Sequence, residues 1–312
     1  MEKSLLNFEV PREWRRVRPW LFVAKLGALV ALLCAGAMLI AGGALPLGIL
    51  GGLLVGAMFA HAIELQHQCL HGTALQGPRL NRLVGVALGL PMFVSFTKYR
   101  VQHLRHHRYA GTQNDSEFFA YGSRLEDLSF WRIVLRSFSL ARYQTAARDI
   151  GHFVLGFGER GDGFSEKDRA AIRQEYLLAL LLLAVAIGAS VALGSAFVIK
   201  FWLLPAILVA EPSHFWIELP EHFGCAKLTV FPLGHTRTIR GSLFSFWFTN
   251  GNNFHAEHHL VQHVPIDRLP GVHALARNNL VHYDRDYVSF VRDRIVNRTF
   301  AYEGKEGLTC LH

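Results

Sequence analysis

The chain has 312 residues, of which 51% are hydrophobic and 18% charged, with 17 histidines, four cysteines and a formal net charge of +8. Its apolar residues come in unbroken blocks of membrane-spanning length, which excludes an ordinary soluble two-domain protein. The positive charge alone would suit nucleic acid, but no basic helix or aromatic-interleaved module accompanies it, so no nucleic-acid partner is expected.

Residues 1–19 form a basic leader to the first apolar block, with Lys3, Arg12, Arg15, Arg16 and Arg18. Residues 20–65 read as a helical hairpin. Trp20 to Gly42 is charged only at Lys25, and Ala44 to Ala60 follows after Gly42-Gly43. The first block is too long for a signal peptide and meets more apolar chain instead of a cleavage site. Residues 66–176 are hydrophilic, with 15 Lys and Arg. Within them Val84 to Phe96 is too short to cross a bilayer and reads as a re-entrant or surface helix. Leu125 to Phe153 mixes aromatic and arginine residues, as an interfacial or soluble amphipathic helix does. Residues 177–219 read as a second hairpin: an uncharged run from Tyr176 to Ile199, then Phe201 onward, with Lys200 at the link. Residues 220–312 are again hydrophilic, with 10 Lys and Arg.

That charge pattern puts both termini and both hydrophilic regions in the cytoplasm by the positive-inside rule. A basic cytoplasmic face suits anionic headgroups or an acidic protein partner. Cys34, Cys69, Cys225 and Cys310 show no CxxC spacing and fit thiols in a reducing compartment. The expected architecture is a single-domain, all-α, multi-pass membrane protein. Four transmembrane helices form two hairpins beneath a helical cytoplasmic cap that holds a histidine-rich di-metal site.

The histidines carry the chemistry. "HLRHH" (His103, His106, His107) recurs in pattern as "HAEHH" (His255, His258, His259), and "HQCLH" supplies His67 and His71. Two chance copies of the longer pattern are on the order of a one-in-a-thousand event at this histidine content. Spacings of three and four residues put each set on one helix face. A lone histidine at a membrane border is usually satisfied by water, which accounts for His152, His235, His273, His282 and His312. It does not account for eight in three clusters. Imidazoles without cysteines suit zinc, copper, iron or nickel, and eight exceed the needs of one ion. Two metals at the mouth of an apolar helix bundle suggest iron and O2 chemistry on a buried carbon chain.

The series H-x3-H, H-x2-HH, H-x2-HH, with hairpins before and between, resembles the membrane fatty acid desaturase and hydroxylase superfamily. The resemblance covers about residues 20–290. It implies two non-haem irons, O2 as co-substrate, and attack on unactivated C–H bonds. It also implies one more histidine just after the fourth membrane helix, where "ELPEHFG" has His222. The implied ligands are His67, His71, His103, His106, His107, His222, His255, His258 and His259. Where stearoyl-type desaturases place an asparagine that contacts a metal through water, this chain has Glu218, which either binds iron directly or pairs with a cation. His255 stands where front-end desaturases have glutamine, and no cytochrome b5-like domain is fused. The implied electron donor is therefore a separate ferredoxin-like or cytochrome b5-like protein. The implied substrate is an acyl chain of a fatty acid or lipid that is desaturated. The alternative is hydroxylation of a lipid, a carotenoid or another hydrophobic molecule.

Two other readings compete. Glu64-x-x-His67 and Glu211-x-x-His214 match the motif of carboxylate-bridged di-iron proteins but leave both His-x-x-His-His clusters idle. A membrane metal-ion carrier would place its ligands near the bilayer midplane, whereas these clusters sit in cytoplasmic segments. Asp115, Asn250, Asn252 and Asn253 are candidates to bond the outer nitrogens of metal-bound rings, the asparagines being equally readable as turn residues. His61, Glu64, Glu211 and His214 are ionisable groups at membrane depth, expected to pair with one another or to line a substrate tunnel.

Overall fold

The computed structural model describes residues 8–115, 125–157 and 163–299; Lys3, Cys310 and His312 lie outside the described residues. Helix α1 (Pro19–Ala41) begins on a proline, whose missing N–H is no loss in a first turn. It ends at Gly42, and Gly43, with φ 78°, turns the chain into α2 (Leu45–Leu70). Then come α3 (Pro78–Gly89), α4 (Phe96–Tyr109), α5 (Phe130–Ser137), α6 (Ala141–Asp149) and α7 (Glu166–Ala192). A helical run with π-helical turns at Ile199–Leu203 and Ala206–Ala210 leads into α8 (Glu211–Glu218). The remainder is built of short pieces: α9 (Pro232–His235), β1 (Arg237–Ile239), α10 (Leu243–Phe248), α11 (His255–Leu260), α12 (Leu269–Ala276), β2 (His282–Asp284) and α13 (Tyr287–Phe290).

Among the described residues three helices are long and apolar enough to cross a membrane: Arg12–Ala41, which contains α1, then α2 and α7. Counting the bent pair Pro78–Met92 and Phe96–Tyr109 as one span gives up to four. The predominantly helical expectation holds, with one addition: β1 and β2 pair in parallel, Arg237 opposite His282. Some element bounds differ from the sequence pattern. Helix α2 runs without a break through the first histidine box to Leu70. Helix α7 starts ten residues before Tyr176, because Ser165 and Asp168 form a capping box. It stops at Ala192, where Gly194 takes φ 56°, so Lys200 lies inside a helical turn and not in the link. The 125–153 segment is two helices, α5 and α6, followed by a π-helical turn.

The chain divides into two compact units, one of residues 18–102 and 137–215, the other of 1–17, 103–136 and 216–312. In the first, α1 and α2 touch at glycines. A Cβ on Gly51 would lie 2.5 Å from the Gly36 carbonyl oxygen, so only small residues permit this approach. Glu175 of α7 reaches the start of α4. Its carboxylate accepts from Ser95 Oγ (2.6 Å), Thr97 Oγ1 (2.6 Å) and Thr97 N (2.9 Å), while Ser95 Oγ caps Lys98 N at 3.1 Å. An acidic group at a helix N-terminus also meets the positive end of its dipole. Arg100 Nε donates to Leu70 O at 3.1 Å, tying α4 to the end of α2.

Four ionisable residues of this unit, Arg142, Glu211, His214 and Glu64, lie in one network. Arg142 of α6 reaches Glu211 (Nε to Oε1 2.8 Å) and donates to His214 Nδ1 at 2.9 Å. Arginine has no acceptor, so the proton of a neutral His214 sits on Nε2, which lies 3.7 Å from Glu64 Oε1. Pairing of this kind is what buried charges require.

In the second unit Arg237 is almost wholly buried. Its guanidinium donates to Asp284 Oδ2 and to Phe223 O, both at 2.6 Å, and to Pro220 O at 3.2 Å. It thereby clamps segment 220–223 onto the two-stranded pair. Phe254, Val261, Val264, Ile266, Leu269 and Val272 form an apolar cluster that Trp14 and Phe8 pack against.

Replacing Glu211 by Gln leaves Arg142 without its countercharge in a buried setting. The expected cost is roughly 1–3 kcal/mol, discounted because Arg142 is partly exposed. Thermal unfolding in nanodiscs should show a lower Tm with unchanged bound metal per chain; an unchanged Tm would show that the pair adds nothing to stability.

Candidate metal centre

His106 on α4, His222 after α8, and His255 and His259 on α11 each offer a ring nitrogen, and these four atoms lie within 4.8 Å of one another. His106 and His259 face each other through Nε2 at 3.3 Å, His222 and His255 at 3.2 Å. Three of the four outer nitrogens have a partner. His106 Nδ1 lies 2.9 Å from both oxygens of Asp115, His222 Nδ1 donates to His235 O at 2.7 Å, and His255 Nδ1 lies 3.2 Å from Asn252 Oδ1. A carbonyl oxygen only accepts, so Nδ1 of His222 carries the proton; Asn252 turns its oxygen to His255, so Nδ1 does there too.

In the neutral rings Nε2 then has only a lone pair. Burial holds His222 and His259 far below the usual histidine range, and the neighbouring imidazoles push the same way. Two lone pairs 3.2 Å apart repel unless a cation lies between them. The donor set therefore fits a metal ion, and imidazole suits zinc, copper, iron or nickel. Outer partners that fix ring and tautomer complete the arrangement.

A second set adjoins this one in the same unit. The ligand nitrogens of His103, His107 and His258 also lie within 4.8 Å of one another, with His107 Nε2 at 2.9 Å from that of His103 and 3.1 Å from that of His258. The rings of His107 and His259 are 4.3 Å apart, so the two sets share a border. In the other unit, His67 and His71 bring their Nε2 atoms to 3.2 Å, with His67 stacked on Tyr99. The nine histidines singled out in the sequence thus appear as a set of four, a set of three and a pair.

Other candidates fall differently. Glu218 is half-buried at the end of α8 and is not one of the grouped donors. The carboxylate near the set of four is Glu221, with Oε2 3.4 Å from His255 Nε2 and Oε1 2.5 Å from Asn252 Nδ2. Sequence reasoning passed over Glu221, although it directly precedes His222. Asn252 does bond the ring of His255, one of the grouped donors. Asn253 instead bonds Ile239 O and Arg240 O beside β1, and Asn250 takes the left-handed turn at φ 47°. Among the described residues both groups able to hold a metal are histidine alone. Glu64, Glu211 and His214 belong to the Arg142 network, so the carboxylate-bridged scheme finds no support.

All four described histidines assigned to the water-facing border are bonded to protein, His152 Nδ1 to Phe157 O at 2.8 Å among them, and His235 and His282 are buried. His235 donates to Thr229 O (2.9 Å), His282 Nε2 bonds Gly234 O (3.0 Å), and His273 Nδ1 bonds Glu257 Oε1 (2.6 Å). The isolated positions of these residues gave no signal, because their partners are far along the chain or are backbone. Gly111, at φ 73°, lets the end of α4 pass Thr229 O, where a Cβ would lie at 1.8 Å.

The comparisons with known proteins fit this geometry. The family model described as fatty acid desaturase matches residues 43–291 of the 312. The chain belongs to the fatty acid desaturase family. Members of that family are oxidoreductases of the desaturase or hydroxylase type, which leaves the metal-carrier reading without support. The chain is 28% identical over 215 residues to a beta-carotene ketolase of Paracoccus sp. (strain PC1), covering 66% of this chain and 71% of the ketolase. It is 24% identical over 248 residues to an endoplasmic reticulum omega-3 fatty acid desaturase of Vigna radiata var. radiata, covering 74% and 65%. A dihydrorhizobitoxine desaturase of Bradyrhizobium elkanii is 24% identical over 281 residues, covering 82% and 76%. The chain thus spans slightly less than two thirds of the Vigna desaturase's length.

The site generates two expected outcomes. His222→Ala should lose metal, measured by elemental analysis of purified protein, while Glu221→Gln should weaken metal retention under chelator by a smaller factor. Equal retention in all three proteins would mean that the set of four holds no ion. Burial, with the Arg237 charge as the next cause, lowers His282 to about 4. The unfolded chain takes a proton near 6.5 that the folded chain refuses. Stability from His282 is therefore complete above about 6.5 and declines as pH falls toward 4. Thermal unfolding against pH should show that decline, and His282→Gln should flatten it at the cost of a lower Tm at neutral pH.

Proposed function

We propose that this protein is an O2-dependent membrane oxidoreductase that desaturates an acyl chain of a fatty acid or lipid, using two non-haem irons. The observation that supports it best is the set of facing imidazole lone pairs whose outer nitrogens are pinned by Asp115, Asn252 and the His235 carbonyl. When bound, such a metal pair supplies the O2-derived oxidising power that removes hydrogen from an unactivated C–H bond. The nine box histidines are the proposed ligands, with Glu221 the added candidate and Glu218 the expectation from sequence.

The chain's own residues do the rest. Asp115 holds a proton on His106 Nδ1 and so keeps Nε2 free to bind. The burial of His106, His222, His255 and His258 excludes water from around the donors. Arg237 fixes the segment that carries His222, and Glu175 fixes the helix that carries His103, His106 and His107. Neutral, desolvated imidazoles do not take up protons that would displace a metal.

The membrane arrangement is part of this reading. Helices α1 and α2 form one proposed hairpin, and α7 with the run into α8 the other, both termini lying in the cytoplasm on the strength of the charge distribution. Exposed apolar side chains along these helices, such as Val30, Met38, Leu53 and Val185, suit contact with lipid. Electrons come from a separate ferredoxin-like or cytochrome b5-like protein.

The similarity to a beta-carotene ketolase favours a second reading, insertion of oxygen into a carotenoid or another hydrophobic molecule. Desaturation and oxygenation begin with the same hydrogen removal and diverge at the next step, loss of a second hydrogen or gain of oxygen. Extracted lipids from cells with and without the gene, compared by mass spectrometry, decide between them. Loss of two hydrogens from an acyl chain supports the first reading, and gain of oxygen by any lipid supports the second. Full conversion by protein loaded only with zinc would overturn both.

A further inference from the structure

A cleft of about 360 Å³ opens on the histidine-rich unit, lined by Arg240, His273, Ala274, Arg277, Asn278 and Tyr283. No residue of it is one of the grouped metal donors, yet its floor leads to them. The rings of Tyr283 and His273 stack with centroids 6.0 Å apart and planes within 20°. His273 Nδ1 lies 2.6 Å from Glu257 Oε1. Glu257 is fully buried and sits on α11 between His255 and His258, two of the donors. Its other oxygen accepts from Thr238 Oγ1 of β1 at 2.6 Å, which fixes the carboxylate from the opposite side. An exposed aromatic ring is thus joined to the donor helix by one ring stack, one short hydrogen bond and the covalent chain.

The mouth of the cleft has the character of a protein-docking surface. Arg240 and Arg277 are exposed and positive, Tyr283 is 39% exposed, and Leu275 on the neighbouring turn of α12 is 52% exposed. Arginine and tyrosine are residue types that anchor interfaces, and Leu275 adds exposed apolar area beside them. A bound small anion would use the two arginines but would have no use for the stack and the Glu257 link behind them.

We propose that this cleft is the docking point of a small acidic one-electron carrier protein, which passes its electrons through Tyr283, His273 and Glu257 to the metal centre. The inference rests on the O2-dependent oxidoreductase reading given above. At each visit the carrier's own iron–sulfur or haem centre is oxidised by one electron and the metal centre is reduced by one. Two visits supply two electrons. With two protons from water and the two hydrogens lost by the substrate, these reduce O2 to two water molecules.

The experiment uses the full chain in nanodiscs and two probes, a plant-type [2Fe–2S] ferredoxin and the soluble domain of a cytochrome b5, both acidic. Binding is measured directly with the oxidised carriers, so the result does not depend on turnover. At low salt the wild type should bind at least one carrier, and more weakly as salt rises. The double variant Arg240→Glu/Arg277→Glu should bind it roughly tenfold more weakly. Arg12→Glu/Arg292→Glu, with the same change in net charge, should bind as the wild type does. Tyr283→Ala, which alters no charge, should also weaken binding and guards against misfolding of the double reversal. Wild-type protein that binds neither carrier, or a cleft reversal that binds as well as the control, overturns the proposal. Reduction of the bound metal by dithionite tests the underlying reading separately. If dithionite reduces wild type and all variants alike while the reversal loses its carrier, the docking site stands; if the purified metal is not reducible at all, the oxidoreductase reading falls first.

Discussion

Two nitrogen lone pairs do not tolerate each other at 3.2 Å, and much of this chain is arranged to hold His222 and His255 at that separation. Each ring is fixed from behind, one by a backbone carbonyl and one by an asparagine. The fixing groups are held in turn: Asn252 by Glu221, and the segment around His222 by the Arg237 guanidinium. These outer bonds limit how far the rings can turn away from each other. A cation bound between them would turn the same geometry into an attraction, which is the chemistry this donor set fits.

That logic explains why the unit containing His106, His222, His255 and His259 spends so much buried polarity on so few side chains. Arg237, Asp284, Glu257, Thr238 and Asp115 are all nearly inaccessible. Each would be costly to bury alone, and each is bonded to another polar group. The short strands β1 and β2 contribute little apolar core. Their part is to present Arg237 and Thr238 to the segments that carry His222 and His255. Apolar packing around Val264, Leu269 and Val272 then closes the unit from the far side.

The histidine boxes were legible because helical spacing is a local property: three or four residues place rings on one face whatever the rest of the chain does. Helix α2 and the Gly42-Gly43 turn were legible for the same reason. The part that the sequence hid is non-local. Glu221 looked like a loop acid until Asn252 and His255, some thirty residues on, were brought beside it. His273 and His282 looked like border residues because Glu257 and Gly234 lie 16 and 48 positions away. The start of α7 was missed because an apolar count sees Tyr176 onward and does not see a serine cap. The link after it was misplaced because a charge at Lys200 looked like a better stop than Gly194, although a left-handed φ is what ends the helix.

Glu175 carries a consequence for how the protein is made. The start of α4 is completed by a carboxylate that lies 78 to 80 residues further along the chain. On the ribosome, Ser95 and Thr97 emerge long before Glu175 does. For that interval the helix bearing His103, His106 and His107 lacks the partner that anchors its first turn. Residues 222 and 255–259 come later still. The order of synthesis therefore leaves the grouped histidines incomplete until the helix containing Glu175 has been laid down and the final third of the chain has been added.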